Sequence, residues 1–240
     1  MIGAPVFHYE TVTSTNDAAK QLASDGEPEG TVVVADEQTK GRGSRGRDWL
    51  SPRGANLYAS FILRPDIPPA RYGELAFVAA VALVRTMKST FGLDALVKWP
   101  NDVLVNGRKI AGILVEVSKD AAIIGIGVNV NWTRLPAAIA ATATSIKNEL
   151  DKTAELEDVL KALCRDLDVA YRTHKVFGFE QTLQDWMSHQ ETIGKIVTVE
   201  RNGESLTGYA LGVDSHGALM LKMSDGGVRT VSAGIVVDKG

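Results

Sequence analysis

The sequence predicts an α+β protein in two domains: residues 1–190, in which helices and strands are mixed, and residues 191–240, in which the pattern is purely β. Apolar residues recur at helical spacing in several segments of the first domain. Short alternating runs, separated by turns that contain glycine, indicate strands in both domains. With 240 residues, 45% of them hydrophobic, the chain is long enough to bury a substantial core.

The helices are predicted from their apolar spacing and from the residues at their ends. The first follows Ser14 or Thr15, which suit the N-cap position, and ends before Gly26. A second covers residues 70–91 and ends at Gly92, because glycine commonly terminates helices. Further helices are predicted over residues 135–143, 154–174 and 178–189.

The strands are predicted from β-branched and alternating runs. Residues 31–38 and 55–63 form two such runs, and residues 96–131 contain four more, which suggest a β-meander. Within the meander, Asn106-Gly107 is the strongest hairpin signal in the chain. After Ile193, four or five short strands predict a small β-barrel. Its turns are expected at Asn202-Gly203, His216-Gly217 and Gly226-Gly227.

Composition argues against several classes of protein. A net charge of −3 provides no overall attraction to nucleic acid or to an anionic membrane. The N-terminal segment lacks a signal-peptide pattern, and no uninterrupted apolar run reaches the length of a membrane span, so we expect no membrane association. The single cysteine, Cys164, occupies a core-facing helical position, which indicates a structural residue in a reducing, cytoplasmic compartment.

The segment "KGRGSRGRDW" (40–49) contains the pattern G-x-G-x-x-G of a dinucleotide-binding loop. Such a loop requires a helix after the glycines, but Pro52 and Gly54 come next, and then another strand. No P-loop pattern occurs either. The segment is therefore interpreted as a strand-to-strand loop in which glycine N–H groups and arginines can hold an anion. A solvated basic loop and an RNA-binding arginine–glycine segment remain alternatives.

A second group of polar residues lies in "KWPNDVLVNGRKIAGILVE" (98–116). Asn101 and Asp102 are expected at a turn, and Lys109 comes after the hairpin turn. A lysine that enters a strand is usually a solvated edge residue. Gly112 nearby would let a ligand approach the backbone closely, which favours an anion site at Lys109.

These segments together resemble the biotin protein ligase family. The resemblance covers "TSTN" (13–16), residues 36–60, residues 98–116 and "GIGVNVN" (125–131), in order along the first domain. It implies a mixed β-sheet flanked by helices, of the class II aminoacyl-tRNA synthetase and biotin ligase type, with an SH3-like barrel after it. It also implies a monofunctional member without an N-terminal DNA-binding domain and without DNA as a partner.

The resemblance implies a two-step reaction. Biotin is activated with ATP and Mg²⁺ to biotinyl-5′-AMP, and the biotinyl group then passes to one lysine of a biotin carboxyl carrier domain of a carboxylase. Positioning and electrostatics would supply the catalysis, without a covalent enzyme nucleophile. A homodimer is expected by the same resemblance.

Roles are carried over by motif. Lys109 and Arg42 would be catalytic, Trp49 would stack on adenine, and Asp102 is a candidate Mg²⁺ ligand. The biotin side would be formed by Ser14, Thr15, Asn16, Gln38, Gly41, Arg42, Gly43, Ser44, Lys109, Gly112 and Gly125. The nucleotide side would be formed by Arg45, Arg47, Trp49, Asn101, Asp102 and Asn129.

One position departs from the family pattern, and other functions stay open. The loop commonly begins G-R-G-R, whereas this chain has Ser44 at the fourth position. We therefore expect the enzyme to hold its adenylate more loosely. A lipoate or octanoate ligase and a non-catalytic biotin-binding regulator are the alternatives to a biotin ligase.

Overall fold

A seven-stranded mixed sheet forms the centre of the first domain in the computed structural model, which describes residues 1–201 and 203–237. The strand order is β1-β2-β3-β7-β6-β5-β4; β1 runs parallel to β2, and all other neighbours are antiparallel. The strands are β1 (Val6–Val12), β2 (Val32–Gln38), β3 (Leu57–Leu63), β4 (Ala95–Lys98), β5 (Asp102–Val105), β6 (Arg108–Ser118) and β7 (Ala121–Val128).

Helices cover both faces of this sheet. The main core lies between the sheet and the pair α2 and α5, while α1 covers part of the opposite face. Both faces of the sheet carry apolar side chains that need covering, as β3 illustrates, because successive side chains of a strand point to opposite faces. Phe61 belongs to the α2–α5 core and Ile62 to the smaller cluster beneath α1. The helices are α1 (Thr15–Ser24), α2 (Leu75–Phe91), α3 (Ala137–Ala140), α4 (Ile146–Leu150) and α5 (Leu156–Met187).

Three glycines leave the centre of the α1 face without bulky side chains. Gly112 on β6 lies opposite Gly127 on β7, and Gly125 lies at the next position on the same face. Beyond the N-terminal end of α1 the sheet is therefore open, and a deep cavity forms above these glycines.

The C-terminal region is a five-stranded antiparallel sheet in the order β11-β10-β9-β8-β12. Trp99, whose indole Nε1 donates to Gly217 O at 2.9 Å, connects it to the first domain. Gly217 also lies against the ring of Phe77, where a Cβ would clash. The strands are β8 (Ile196–Arg201), β9 (Glu204–Val213), β10 (Leu219–Lys222), β11 (Val228–Val231) and β12 (Ile235–Val237).

Most of the predicted elements are confirmed. Helix α1 begins after Ser14, and α2 ends at Gly92, which adopts a left-handed conformation with φ 68°. The two helices predicted over 154–174 and 178–189 form one element, α5, which breaks at Gly178 with φ 77°. Cys164 is buried, as predicted for a core-facing residue.

Three local predictions are incomplete. Strand β1 and the short helix α4 were not predicted, and residues 69–74 form a 3₁₀ turn where an α-helix was expected. Strand β1 is an edge strand that buries little surface, so its apolar signal is weak. The expected turn at Asn202-Gly203 includes Asn202, which lies outside the described residues. In the described part of the chain, no helix combines the length and hydropathy needed to cross a bilayer.

Candidate active site

A cavity of about 630 Å³ opens on the face of the sheet that α1 partly covers. Its floor is formed by β6 and β7, one end by the start of α1, and one side by the loop between β2 and β3. Residues 98–102 and 234–237 form further parts of the wall, so the C-terminal sheet contributes through β12. The cavity is also lined by Trp132, Ile139, Thr142 and Ala143. The cavity therefore draws on both regions of the chain.

The end of the cavity at α1 is buried and polar. Ser14, Thr15 and Asn16 begin the helix, and all three are less than 5% exposed. The side chain of Ser14 caps no backbone N–H of the helix. Its hydroxyl therefore lies at the cavity wall without the capping role that a helix N-terminus commonly gives serine.

Gln38 joins this end to the β2–β3 loop. Its Oε1 accepts from the backbone N–H of Thr15 at 2.9 Å and lies 3.1 Å from Thr15 Oγ1. Its Nε2 donates to Ser51 Oγ at 2.9 Å, and Ser51 in turn donates to Trp49 O. Both polar atoms of the Gln38 amide thus have partners within the protein.

Asn16 is held from two sides. Its Oδ1 lies 2.6 Å from the hydroxyl of Ser60, and its Nδ2 donates to Glu116 Oε2 at 2.7 Å. The amide sits over Gly125, where a Cβ would overlap Asn16 Oδ1. The space that Gly125 provides on this face is therefore taken by a side chain of the chain itself.

Arg42 lies between two carboxylates. Both terminal nitrogens donate to Asp17, at 2.6 and 2.7 Å, and Nη2 also lies 3.3 Å from Glu116 Oε2. The hydrogen bond with Arg42 holds the pKa of Asp17 below its usual range, and the same contacts raise the pKa of Arg42. Arg42 is therefore a guanidinium already neutralised by its neighbours.

Glu116 connects this pair to α1. Burial raises its pKa, but hydrogen bonds from Lys20 and Asn16 and the charges of Lys20 and Arg42 outweigh burial, so the pKa lies below its usual value. Lys20 Nζ lies 2.7 Å from Glu116 Oε1. Glu116 is thus an ionised carboxylate that joins helix α1 to the loop.

The glycine–arginine loop is a short, exposed turn. The N–H of Gly43 donates to Arg47 O at 2.7 Å, and Arg45 between them has φ 59°. Arg47 Nη2 donates to Ser44 Oγ at 3.2 Å. Burial and the neighbouring charge of Arg47 lower the pKa of Arg45, while Asp102 raises it. The positive charges of Arg45 and Arg47 thus lie close together.

Trp49 lies inside the cavity. A Cβ at Gly127 would overlap its indole, and a Cβ at Gly112 would come within 2.8 Å of it. The ammonium of Lys109 lies 5.1 Å from the ring centroid. Within the described structure, the buried Nε1 of Trp49 has no hydrogen-bond partner. The indole covers glycines on the floor that a bound ligand would otherwise contact.

Lys109 is more buried than Arg42, the other cationic residue predicted to be catalytic. Its Nζ lies 2.6 Å from Asp102 Oδ1, and both side chains are about three-quarters buried. Asn101 Nδ2 donates to Ile113 O at 2.6 Å, which holds the turn before β5 against β6. Asn129 Nδ2 donates to Thr144 O at 3.0 Å. The two asparagines therefore shape the wall beside Lys109.

Most of the predicted site residues meet in this one cavity. Gly41 and Arg45 do not line it: Gly41 is buried against Trp49 O and Ser51 Oγ, and Arg45 is exposed at the tip of the loop. The lining residues are Ser14, Thr15, Asn16, Gln38, Arg42, Gly43, Ser44, Arg47, Trp49, Asn101, Asp102, Lys109, Gly112, Gly125 and Asn129.

Four residues around the site were missed by sequence reasoning: Asp17, Ser51, Ser60 and Glu116. Ser60 had a usable signal, because it is a small polar residue inside the otherwise apolar run of β3. Glu116 ends the motif at residues 98–116 but was given no role, and Asp17 had no signal beyond its charge, because their partner Arg42 is far away in sequence.

The candidate Mg²⁺ ligand, Asp102, lines the cavity together with a second carboxylate residue, Asp48. Among residues 1–201 and 203–237, no cluster of three or more His, Cys, Asp or Glu side chains could hold a metal ion. Mg²⁺ in nucleotide sites is commonly held by one or two carboxylates together with substrate phosphates. Two carboxylates at the cavity, Asp48 and Asp102, fit that mode but not a protein cage.

Comparison with known proteins finds relatives along nearly the whole chain. Residues 8–131 match the biotin/lipoate A/B protein ligase family, and residues 192–237 match the biotin protein ligase C-terminal domain. The bifunctional ligase/repressor BirA of Bacillus subtilis is 35% identical over 98% of this chain and 74% of its own. A biotin–[acetyl-CoA-carboxylase] ligase of Mycobacterium tuberculosis is 32% identical over 95% and 86%. The biotin protein ligase of Aquifex aeolicus, solved with biotin and ATP, superposes with a TM-score of 0.85 at 28% identity and covers 98% of both chains.

Proposed function

Because this chain belongs to the biotin protein ligase family and is an ATP-dependent biotin ligase, we propose that it works in two steps within the cavity. In the first step, a carboxylate oxygen of biotin attacks the α-phosphorus of ATP, which forms biotinyl-5′-AMP and releases pyrophosphate. In the second step, the amine of an acceptor lysine attacks the biotinyl carbonyl carbon, which forms an amide and releases AMP.

One observation carries the proposal: a buried hydroxyl–amide end and a cationic end share the same cavity. Ser14, Thr15 and Asn16 form the first end, and Lys109 lies on the wall of the second, beside the arginine loop. A ureido ring has two N–H donors and one carbonyl acceptor, which match hydroxyl and amide partners. A carboxylate that reacts with a triphosphate requires cations.

Lys109 acts in the first step by offsetting the charge that develops on carboxylate and phosphate oxygens. Its ammonium is held by Asp102, so it is oriented before a ligand arrives. A preorganised cation in a partly dry site stabilises a charged transition state more than a mobile one does. Asp102 is in this respect a positioning residue for Lys109.

The loop binds the activated acid. Arg47 contacts phosphate oxygens, and the backbone N–H of Gly43, which lines the cavity, reaches the same anions only after it releases Arg47 O. Arg42 serves the same anions only after it has exchanged Asp17 or Glu116 for the ligand. Ordering of this loop therefore accompanies binding.

Trp49 covers the adenine after its indole has moved away from the floor of the cavity. Its present position over Gly112 and Gly127 blocks that surface, so the indole must move when ligands bind. An aromatic ring released in this way is suited to stacking on a purine. Asn101 and Asn129 remain as the wall of the nucleotide side.

Mg²⁺ would accompany ATP and shield its phosphates from the incoming carboxylate. Asp102 is the residue of this chain that would contribute a carboxylate oxygen. Asp102 is already paired with Lys109, so it would supply only part of the Mg²⁺ coordination. The phosphates of ATP would supply the rest, as is usual for Mg²⁺ in nucleotide sites.

The acceptor in this proposal is a biotin carboxyl carrier domain of a carboxylase, and the enzyme is a cytoplasmic homodimer. The relative from Mycobacterium tuberculosis is a biotin–[acetyl-CoA-carboxylase] ligase, which supports this acceptor. We also propose that residues 1–190 form the catalytic domain and residues 191–240 the appended one, since the match to the C-terminal domain begins at residue 192.

The proposal is tested by ATP–pyrophosphate exchange with biotin, lipoate and octanoate offered separately. We expect exchange with biotin alone. Exchange that occurs only with lipoate or octanoate would overturn the choice of acid. The second step is monitored by incorporation of labelled biotin into a carrier domain, with a carrier whose target lysine is replaced by arginine as the control.

A further inference from the structure

We propose that Ser60, a residue without an assigned role, is a positioning residue that sets the hydrogen-bond directions of Thr15 and Asn16 and thereby selects a ligand with N–H donors. Ser60 lies in the middle of β3, on the face that carries α1, and it is fully buried. Its hydroxyl lies 2.7 Å from Thr15 Oγ1 and 2.6 Å from Asn16 Oδ1. The inference rests on the proposed biotin activity and deepens it.

The proton of Ser60 has one destination. Asn16 Nδ2 donates to the Glu116 carboxylate, which fixes the orientation of the amide and makes Asn16 Oδ1 the atom that faces Ser60. An amide oxygen can only accept. Ser60, which has a single hydroxyl proton, therefore donates to Asn16.

The direction of the hydrogen bond between Ser60 and Thr15 follows from the position of the Ser60 proton. Ser60 has no second proton for the 2.7 Å contact, so Thr15 is the donor in that pair. The other acceptor near the Thr15 hydroxyl is Gln38 Oε1, at 3.1 Å, and it also lies on the protein side. The lone pairs of Thr15 Oγ1 are thus the part of the hydroxyl available to the cavity.

These directions form a one-way chain of hydrogen bonds that ends on a charge. Thr15 donates to Ser60, Ser60 to Asn16, and Asn16 to the ionised Glu116. Chains of this kind are reinforced by the final carboxylate in a low-dielectric interior. The site therefore presents an acceptor at Thr15 before any ligand enters, and an N–H of a ureido ring fits that acceptor.

The test compares Ser60→Ala with wild-type protein in biotin-dependent ATP–pyrophosphate exchange. Without Ser60, Thr15 retains the longer contact to Gln38, and Asn16 Oδ1 loses its donor. We expect the KM for biotin to rise about 5- to 10-fold, the scale of one hydrogen bond, while the KM for ATP and kcat stay within about twofold. Ser60→Thr, which keeps the hydroxyl, is expected to restore the KM.

A pair of analogues adds a readout that a merely structural role would not change. In these cyclic carbamates one ureido N–H of biotin is replaced by oxygen, so an acceptor replaces a donor. Wild-type protein is expected to discriminate against one of them by about 100-fold or more. In Ser60→Ala the Thr15 hydroxyl is freer to turn, so this discrimination is expected to shrink about 5-fold.

Thr31→Val is the matched control, because it removes another fully buried hydroxyl, one that donates to Pro28 O away from the cavity. It should leave the KM for biotin and the discrimination unchanged. If Ser60→Ala raises the KM values for biotin and ATP alike, or leaves the discrimination unchanged, Ser60 is only structural and the inference is wrong. Absence of biotin-dependent exchange in wild-type protein would instead reject the proposed function.

Discussion

The two ends of the cavity are built in opposite ways. At the α1 end, buried hydroxyl and amide groups are held by hydrogen bonds to β2, β3 and β6. At the loop end, Arg45 and Arg47 are exposed, Arg42 is engaged by Asp17, and Trp49 occupies the floor. The neutral part of a ligand thus meets a prepared surface, whereas its charged part meets groups that must first change partners.

This difference arises from the cost of order. A buried polar group must be hydrogen-bonded, and a rigid helix start on a sheet supplies those partners at all times. A loop rich in glycine loses much conformational freedom when it is ordered, so binding energy must offset that loss. We therefore expect the α1 end to govern specificity for the acid and the loop end to govern retention of the adenylate.

The largest effect is expected from Lys109→Ala, which removes the oriented cation between the two ends. The rate of biotin-dependent pyrophosphate exchange should fall about 100-fold or more, because a preorganised charge at a developing anion is worth that much. Lys161→Ala is the control, since Lys161 is an exposed residue of α5 paired with Glu157. Exchange at the wild-type rate in a folded Lys109→Ala protein would remove Lys109 from the mechanism.

A smaller effect is expected at the loop end from Ser44→Arg. Ser44 lines the cavity and contacts only Arg47 among the polar groups of the described chain. An arginine there would add a charge-assisted hydrogen bond to the adenylate, and the half-life of bound biotinyl-AMP should lengthen about 10-fold. The half-life is measured by chasing labelled adenylate with unlabelled biotin.

The control for that experiment is Ser24→Arg, which adds the same charge at an exposed position at the end of α1. It should leave the half-life unchanged. If Ser44→Arg also leaves it unchanged, the looser retention expected from Ser44 is wrong, and the neighbouring arginines already supply that contact.

The smallest effect is expected from Asp17→Asn, which weakens the contact that holds Arg42 away from an incoming anion. If Arg42 exchanges Asp17 for the ligand, the KM for biotin should fall about 3-fold, in line with the strength of a half-exposed ion pair. Asp158→Asn on α5 is the control, because Asp158 is exposed and does not line the cavity. A higher KM in Asp17→Asn would show that Arg42 acts where it now lies.

Acid stability gives an independent readout of the same pair. The pKa of Asp17 is lower in the folded protein than in the unfolded chain, so its stabilising contribution is present above about pH 4. The contribution is lost as the pH falls through the folded pKa. The difference in the free energy of unfolding between wild-type and Asp17→Asn proteins should therefore be constant between about pH 6 and about pH 5 and shrink below about pH 4, as measured by urea unfolding.

Local signals account for the parts of the fold that the sequence predicts well. Gly92 at a helix end and Asn106-Gly107 at a hairpin adopt left-handed backbone conformations, which depend on these residues and their immediate neighbours. Strand β1 escaped prediction because its pairing partner, β2, lies across α1 and the strand itself buries little. The loop at 40–49 is distinguished from a dinucleotide site by its C-terminal neighbours, since Pro52 and Gly54 exclude the required helix.

The sequence by itself determined most of the helices and strands, the family motifs and most of the residues that gather at one cavity. Only the tertiary structure decided the partners of those residues: Arg42 with Asp17 and Glu116, Asn16 with Ser60, and Trp49 with the glycines of the floor. These contacts join residues that are 25 to 74 positions apart along the chain for Arg42 and 44 for Asn16. Turn and helix preferences arise within a few residues, whereas the direction of a buried hydrogen bond depends on every donor and acceptor that folding brings around it.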